Sequence, residues 1–278
     1  MKKSINAWAF PDSYDFEAVF KKASELGFDC IELNVDLDGG EHSFTYDSDE
    51  TTYSKVRELI KQYGVDVRSV STGAYWSRGA FGSDDPEKAA EAVKVMRKQI
   101  EVARGIGADT ILVVTSLDEN AGYKKSMENT IKLFKSMKKE IKKAGINIGI
   151  ENVWNQFFLS PMDAKYVIEA INNPLVGIYF DAGNMIEFGR PEWWIEVIGK
   201  YIKKVHIKDF KKNSGYHSGG TWCALWEGDA DFESLIPALQ AAGYDGPISA
   251  ELFNGSRDVD EFLAEVYNGV EKVLSFAK

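Results

Sequence analysis

The chain has 278 residues, of which 44% are hydrophobic and 13% aromatic, so it can bury a large core and is not a disordered protein. Its 43 acidic residues outnumber its 33 basic ones and give a net charge of -10, which argues against nucleic acid as the main substrate. No apolar signal stretch begins the chain and no run of about 18 apolar residues occurs, so we expect a soluble cytoplasmic protein that does not associate with membranes.

Segments of strand length alternate with segments of helical periodicity along the first half of the chain. Each pair takes about 30 residues, the size of a strand-plus-crossover unit. The alternation predicts strands at residues 4–10, 28–34, 65–71 and 108–115. It predicts helices at residues 15–26, 51–63, 86–106 and 119–144, and each of these is followed by a glycine, as helix C-termini often are.

The same alternation continues through the second half of the chain. It predicts strands at residues 146–151, 176–181, 204–209 and 247–252, and helices at 161–171, 191–201, 231–242 and 258–276. Eight strand–helix pairs are the number that a closed parallel barrel requires. No glycine-rich phosphate fingerprint follows the first strand, and no linker divides the sequence. We therefore predict an α/β fold, a (β/α)8 TIM barrel, with residues 1–278 forming a single domain.

Four consecutive predicted strands carry a potential metal ligand at or near the carboxyl end: Glu151, Asp181, His206 and Glu251. Taken alone, Glu151, Glu251 and His206 would more often have a structural role, and Asp181 could equally well begin a turn. In a parallel barrel, however, the four ends converge on one mouth. Three carboxylates crowded there repel one another unless a proton or a cation compensates them. Three carboxylate oxygens and one imidazole suit a fairly hard divalent ion, so we expect Mn²⁺, with Mg²⁺, Co²⁺ or Zn²⁺ as substitutes.

Aromatic residues at or after strand ends have two interpretations, either as part of the core or as walls that pack against a sugar. They are Trp8, Tyr75, Trp76, Trp154, Phe157, Phe158, Trp222 and Trp226. Two lysines near the end of the seventh strand, Lys208 and Lys212, are either solvated or able to neutralise a substrate phosphate.

The remaining histidines and the cysteines are not assigned to the site. His42 and His217 lie in polar loops, so we expect both to be exposed to solvent. The two cysteines, Cys30 and Cys223, are far apart in sequence and form no disulfide framework, and Cys223 has no neighbouring base that would make it a nucleophile.

Several short motifs occur in the order found in the xylose-isomerase-like TIM barrels of the sugar-phosphate isomerase/epimerase family, which this chain resembles over nearly its whole length. They are GFDCIEL at 27–33, IEN at 150–152, FDAGN at 180–184, VHIKD at 205–209, GDADF at 228–232 and AEL at 250–252. In the family's ketose 3-epimerases the matching residues hold a divalent metal, usually Mn²⁺. The resemblance therefore implies Glu151, Asp181, His206 and Glu251 as metal ligands, with Glu151 and Glu251 also serving as the catalytic acid and base.

The resemblance also bears on substrate binding. The Asp-x-Gly-Asn form at 181–184 is similar to that of L-xylulose 5-phosphate 3-epimerases and of proteins labelled hexulose-6-phosphate isomerase. Members similar to D-tagatose 3-epimerase have a sugar-contacting histidine where this chain has Asn184, which argues against specificity for a free ketose. We predict Asn184, Lys208, Trp8 and Trp76 as substrate-binding residues.

The leading hypothesis is a metal-dependent epimerase or isomerase that acts on a ketose or ketose phosphate through a cis-enediolate, with two glutamates on opposite faces of the sugar. Two alternatives stay open. One is a metal-dependent dehydratase or lyase acting on a keto-sugar or keto-inositol, including the type that cleaves C-glycosides. The other is a sugar-binding barrel without catalytic activity. The sequence also permits a homo-oligomer.

Overall fold

Eight parallel strands close on themselves at the centre of the structure, a computed structural model that describes residues 1–215 and 218–277. Each strand pairs with the next along the chain, and the last pairs with the first, which confirms the predicted TIM barrel. We number them β1 Lys2–Asn6, β2 Cys30–Val35, β3 Asp66–Ser71, β4 Thr110–Val113, β5 Asn147–Glu151, β6 Val176–Asp181, β7 Ile202–Ile207 and β8 Pro247–Ala250.

Helices surround the barrel and bury their apolar faces against it. Aspartate or serine side chains accept backbone N–H groups at the N-termini of most of them, which satisfies donors that have no partner within the helix. None of the helices in the described part of the chain combines the length and the apolar character needed to cross a bilayer. The helices are α1 Phe16–Leu26, α2 Glu50–Tyr63, α3 Pro86–Ile106, α4 Tyr123–Ser136, α5 Lys138–Ala144, α6 Pro161–Ile171, α7 Pro191–Ile198, α8 Phe232–Ala241 and α9 Val259–Leu274.

Two differences between the predicted and the observed elements have a local reason. The first strand ends at Asn6 because the Asn6 side chain accepts the N–H of Trp8 at 2.8 Å and caps a short 3-10 turn, Ala7–Ala9. The single helix predicted at 119–144 is two helices, since Met137 has φ -89° and ψ 3° and interrupts the helical ladder between α4 and α5.

A hairpin that the sequence analysis did not predict follows β7. Its strands, Asp209–Lys212 and Gly220–Cys223, pair antiparallel, so the seventh barrel strand ends earlier than predicted. The buried Asp209 carboxylate accepts three loop N–H groups, from Trp226 at 2.9 Å and from Gly228 and Ala230 at 3.0 Å. This clamp holds the loop that follows the hairpin close to the end of β7.

The inner face of the barrel carries a bulky aromatic residue that requires a glycine on the neighbouring strand. Tyr179 on β6 is fully buried and pairs in register beside β5. A Cβ atom added to Gly149 on β5 would lie 2.8 Å from the Tyr179 Cβ atom and 3.0 Å from its backbone nitrogen. Because backbone atoms cannot move aside cheaply, this position leaves room only for glycine.

Gly149→Ala should therefore lower the free energy of unfolding by about 1–3 kcal/mol through overpacking, measured by urea denaturation. Gly189→Ala is the matched control, because its added Cβ would make an ordinary 3.6 Å contact with the Trp193 ring. Equal stability of the two variants would contradict the steric argument.

Candidate metal centre

Four side chains from four successive strands meet at the carboxyl end of the barrel. Glu151 ends β5, Asp181 ends β6, His206 lies in β7 and Glu251 follows β8 directly. One ligand atom from each lies within 4.8 Å of the others, and all four side chains are largely buried. The predicted convergence of the four residues is therefore present in the structure.

The three carboxylates surround a nitrogen atom of His206 that lacks a hydrogen-bond partner. Nδ1 of His206 lies 3.6 Å from Glu151 Oε1 and 3.6 Å from Glu251 Oε2. It lies 4.0 Å from Asp181 Oδ2. Nδ1 is buried and has no hydrogen-bond partner among the described residues.

A divalent cation fits this donor set. A buried polar atom without a partner is costly, and a cation would satisfy this nitrogen while compensating the carboxylates around it. Metal–ligand distances of about 2.0–2.2 Å place ligands up to about 4 Å apart, close to the separations in this cluster. Oxygen and imidazole donors are shared by Mn²⁺, Mg²⁺, Co²⁺ and Zn²⁺, so the geometry is compatible with several metals.

Lys208 places a positive charge inside the carboxylate cluster. Its Nζ atom lies 2.6 Å from Glu251 Oε2 and 2.9 Å from Asp181 Oδ2. Its stem passes so close to Gly183 that an added Cβ there would collide with Lys208 Cγ. In this arrangement the ammonium compensates two of the three carboxylates. Binding of a substrate phosphate by Lys208 stays a prediction.

The two glutamates differ in their protonation. Burial raises the pKa of Glu151 to about 7, and the nearby charges of Glu251 and Asp181 act in the same direction. Burial also acts to raise the pKa of Glu251, but the positive charges of Lys208 and His206 outweigh it and lower that pKa to about 2. At neutral pH one glutamate is ionised while the other titrates.

Asparagine side chains fix the strand ends that carry the acids. The Asn152 amide donates to the Asp181 carbonyl at 2.7 Å, and its oxygen accepts the Asp181 N–H at 2.9 Å. Asn184 donates its backbone N–H to Asp181 Oδ1 at 2.8 Å and its amide to the Asn152 carbonyl at 2.9 Å. The asparagines of the IEN and FDAGN motifs therefore join β5 to β6 immediately beside the cluster.

A cavity of about 550 Å³ opens above the cluster. Its walls are partly aromatic, with Trp8 stacked on Phe253 and Trp154 packed against Trp222. Trp76 lies at the rim, where 62% of its surface is exposed. All four predicted substrate-binding residues line this cavity, together with both glutamates: Trp8, Trp76, Asn184, Lys208, Glu151 and Glu251.

Some residues considered in the sequence analysis lie elsewhere. The expectation that His42 is exposed was wrong: the residue is 5% exposed, and its ring nitrogens lie 2.7 Å from the Tyr14 carbonyl oxygen and 3.2 Å from that of Ala7. His217 lies outside the described residues. Of the aromatic candidates, four are not among the residues that line the cavity: Tyr75, Phe157, Phe158 and Trp226.

Sequence reasoning did not assign a role to Glu32, which contacts His206 through the ring nitrogen that does not face the three carboxylates. Glu32 on β2 is fully buried, and its Oε1 atom lies 2.6 Å from Nε2 of His206. The signal was present, because a glutamate at the inner face of a fully buried strand needs a partner. The partner, however, lies 174 residues away along the chain.

Comparison with known proteins gives one family and several similar folds. The family model described as "Xylose isomerase-like TIM barrel" matches residues 20–269. L-ribulose-5-phosphate 3-epimerase UlaE from Escherichia coli is 28% identical over 249 residues, which cover 88% of this chain and 84% of that protein.

Solved structures agree on the fold. The IOLI protein with a bound zinc atom superposes with a TM-score of 0.83 at 16% identity, covering 99% of this chain and 98% of the other. D-psicose 3-epimerase from Clostridium cellulolyticum H10, determined with D-tagatose, gives a TM-score of 0.81 at 15% identity and covers 100% of both chains.

Glu151→Gln should change how the stability of the metal-free protein depends on pH. A folded pKa of about 7 against an ordinary value of 4.5 means that the folded state binds more protons between these values, so wild type loses stability as pH rises through that window. We expect the variant to be more stable than wild type by about 1–3 kcal/mol at pH 8 and by much less at pH 5.

Urea denaturation in EDTA measures this difference. Glu233→Gln, on the exposed side of α8, is the control and should keep the wild-type pH profile. A stability difference between Glu151→Gln and wild type that is the same at both pH values would contradict the raised pKa.

Proposed function

This chain belongs to the xylose isomerase-like TIM barrel family, and on that premise we propose that it is a divalent-metal-dependent epimerase that inverts C3 of a ketose or ketose phosphate. The observation that carries the proposal is the position of Glu151 and Glu251 in the four-residue cluster, where each carboxylate lies 3.6 Å from Nδ1 of the candidate metal ligand His206 and both line the cavity. The match to a ketose-phosphate 3-epimerase over most of both chains supports the same reaction class.

Glu151, Asp181, His206 and Glu251 would hold the metal. When bound, it would supply positive charge that polarises the substrate carbonyl and makes the neighbouring C–H group more acidic. Mn²⁺ ranks first because three carboxylates and one imidazole match its preference for hard ligands.

The glutamates perform the proton transfers. In one direction Glu251 takes the C3 proton from one face of the sugar. Glu151 returns a proton to the opposite face, which inverts the centre. In the reverse reaction the two residues exchange roles. A substrate bound with C1 and C2 between the glutamates would instead undergo aldose–ketose isomerisation.

The cavity suits a sugar of five or six carbons. Its volume of about 550 Å³ falls within the usual range for small-molecule sites. Trp8 and Trp154 offer apolar ring faces to the C–H groups of the sugar, while Asn184 and Lys208 offer polar groups to its hydroxyls or phosphate.

Solvent exchange tests the reaction. Wild-type enzyme incubated in D₂O with a panel of free and phosphorylated ketoses should incorporate deuterium at C3 of its substrate, measured by NMR. Glu151→Gln and Glu251→Gln should each slow this exchange by about 100-fold or more, because each removes one proton carrier. Glu233→Gln, remote from the cavity, should exchange at the wild-type rate.

Three outcomes would contradict the proposal. They are exchange at the wild-type rate in either active-site variant, a product that absorbs ultraviolet light as an enone, and no exchange with any ketose. The second would indicate elimination, and the third a barrel that only binds its ligand.

Asp181→Asn should lower the metal content of the purified protein, because it removes one charged ligand from the cluster. Elemental analysis should find about one divalent ion per wild-type chain and much less in the variant, with circular dichroism confirming that both are folded. Equal metal content in the two proteins would remove Asp181 from the ligand set.

A further inference from the structure

We propose that Glu32 is a positioning residue that holds His206 with its hydrogen on Nε2 and so presents the Nδ1 lone pair to the metal. This inference rests on the metal site of the proposed function. It concerns a residue of β2, a strand that contributes none of the four candidate ligands.

The Glu32 carboxylate is completely buried, and both of its oxygen atoms accept hydrogen bonds. Its Oε1 atom lies 2.6 Å from Nε2 of His206 and accepts the Asn6 amide at 2.6 Å. Its Oε2 atom accepts the Ser69 hydroxyl at 2.5 Å and also the Tyr179 hydroxyl. Because three other donors already contact it, this carboxylate acts toward His206 as an acceptor.

The tautomer of His206 follows from that contact. The ring nitrogen that lies 2.6 Å from the Glu32 carboxylate keeps its hydrogen, so a bound metal can replace a proton only on the other nitrogen. That other nitrogen is Nδ1, the buried atom without a hydrogen-bond partner among the described residues that faces the three carboxylates. The Tyr179 ring lies against the imidazole with centroids 4.6 Å apart and restrains its rotation.

The partners of Glu32 are themselves held in place. Asn6 also donates to Ser71 at 3.0 Å and to Asn34 at 3.3 Å, and the Ser71 hydroxyl donates to Asn34. These residues belong to β1, β2 and β3, which carry none of the candidate metal ligands. Through Glu32, these strands hold His206 on β7 in place. Partners of this kind orient metal-bound histidines and raise their basicity in many metalloproteins.

Glu32→Gln tests this role. The amide keeps the shape of the side chain but removes the charge and places an NH₂ group against neighbouring donors. We expect Mn²⁺ binding to the metal-free protein to weaken by about 10–100-fold, measured by titration with electron paramagnetic resonance detection of free Mn²⁺.

Asn34→Ala is the matched control. Asn34 lies two residues farther along the same strand and belongs to the same hydrogen-bonded group, but it does not contact His206. A purely structural role for Glu32 would make both variants less stable and leave both with the wild-type affinity for Mn²⁺. The proposal instead predicts that only Glu32→Gln loses affinity for Mn²⁺, even if both variants lose the same amount of stability.

Nitrogen-15 NMR gives a second measurement that does not depend on any variant. The chain has three histidines, so the ring signals of His206 can be assigned in long-range spectra of the protein loaded with diamagnetic Zn²⁺. The proposal predicts a protonated Nε2 and an unprotonated, metal-shifted Nδ1. A protonated Nδ1 in that state would overturn it, even if Glu32→Gln failed to fold.

Failure of this inference can be separated from failure of the proposed function. If wild type binds Mn²⁺, Asp181→Asn does not, and Glu32→Gln binds as tightly as wild type, then the role of Glu32 is wrong and the metal site stands. If wild type binds no divalent ion, both the metal site and the role of Glu32 are rejected.

Discussion

Mutual repulsion among three buried carboxylates is the constraint around which this site is built. Glu151, Asp181 and Glu251 converge because parallel strands bring their carboxyl ends together, and burial makes their charges costly. The protein offsets this cost by placing Lys208 between two of them and by leaving Glu151 with a pKa of about 7. A divalent cation would compensate all three at once, and the unpartnered His206 nitrogen provides its fourth ligand.

The interior of the barrel explains how the histidine is kept in place. TIM barrels usually fill this space with branched apolar side chains, but here a hydrogen-bonded group occupies it near β1, β2 and β3. Glu32 joins this group to His206, so ligand and support come from opposite halves of the chain. A satisfied polar network of this kind is rigid, which suits a site that must hold a ligand at fixed geometry.

The features that could be predicted from the sequence are those that depend on local residue pattern and on the repeated strand–helix arrangement of the fold. The alternation of strands and helices predicted the barrel. The residue types at the strand ends identified Asp181 and His206 as candidate ligands before any interatomic distance was known. Glu32 could not be assigned, because its role depends on a contact across the barrel. His42 was misjudged since its partners are backbone carbonyls that polarity alone does not reveal. The hairpin after β7 was missed because its short strands depend on pairing with each other.

X-ray diffraction at the manganese absorption edge, on crystals of the protein grown with MnCl₂, tests the central claim most directly. The account predicts one anomalous peak at the carboxyl end of the barrel, bound by Glu151, Asp181, Glu251 and Nδ1 of His206. Absence of a peak there, or a peak bound through Nε2 of His206 or by fewer than three of these side chains, would contradict it.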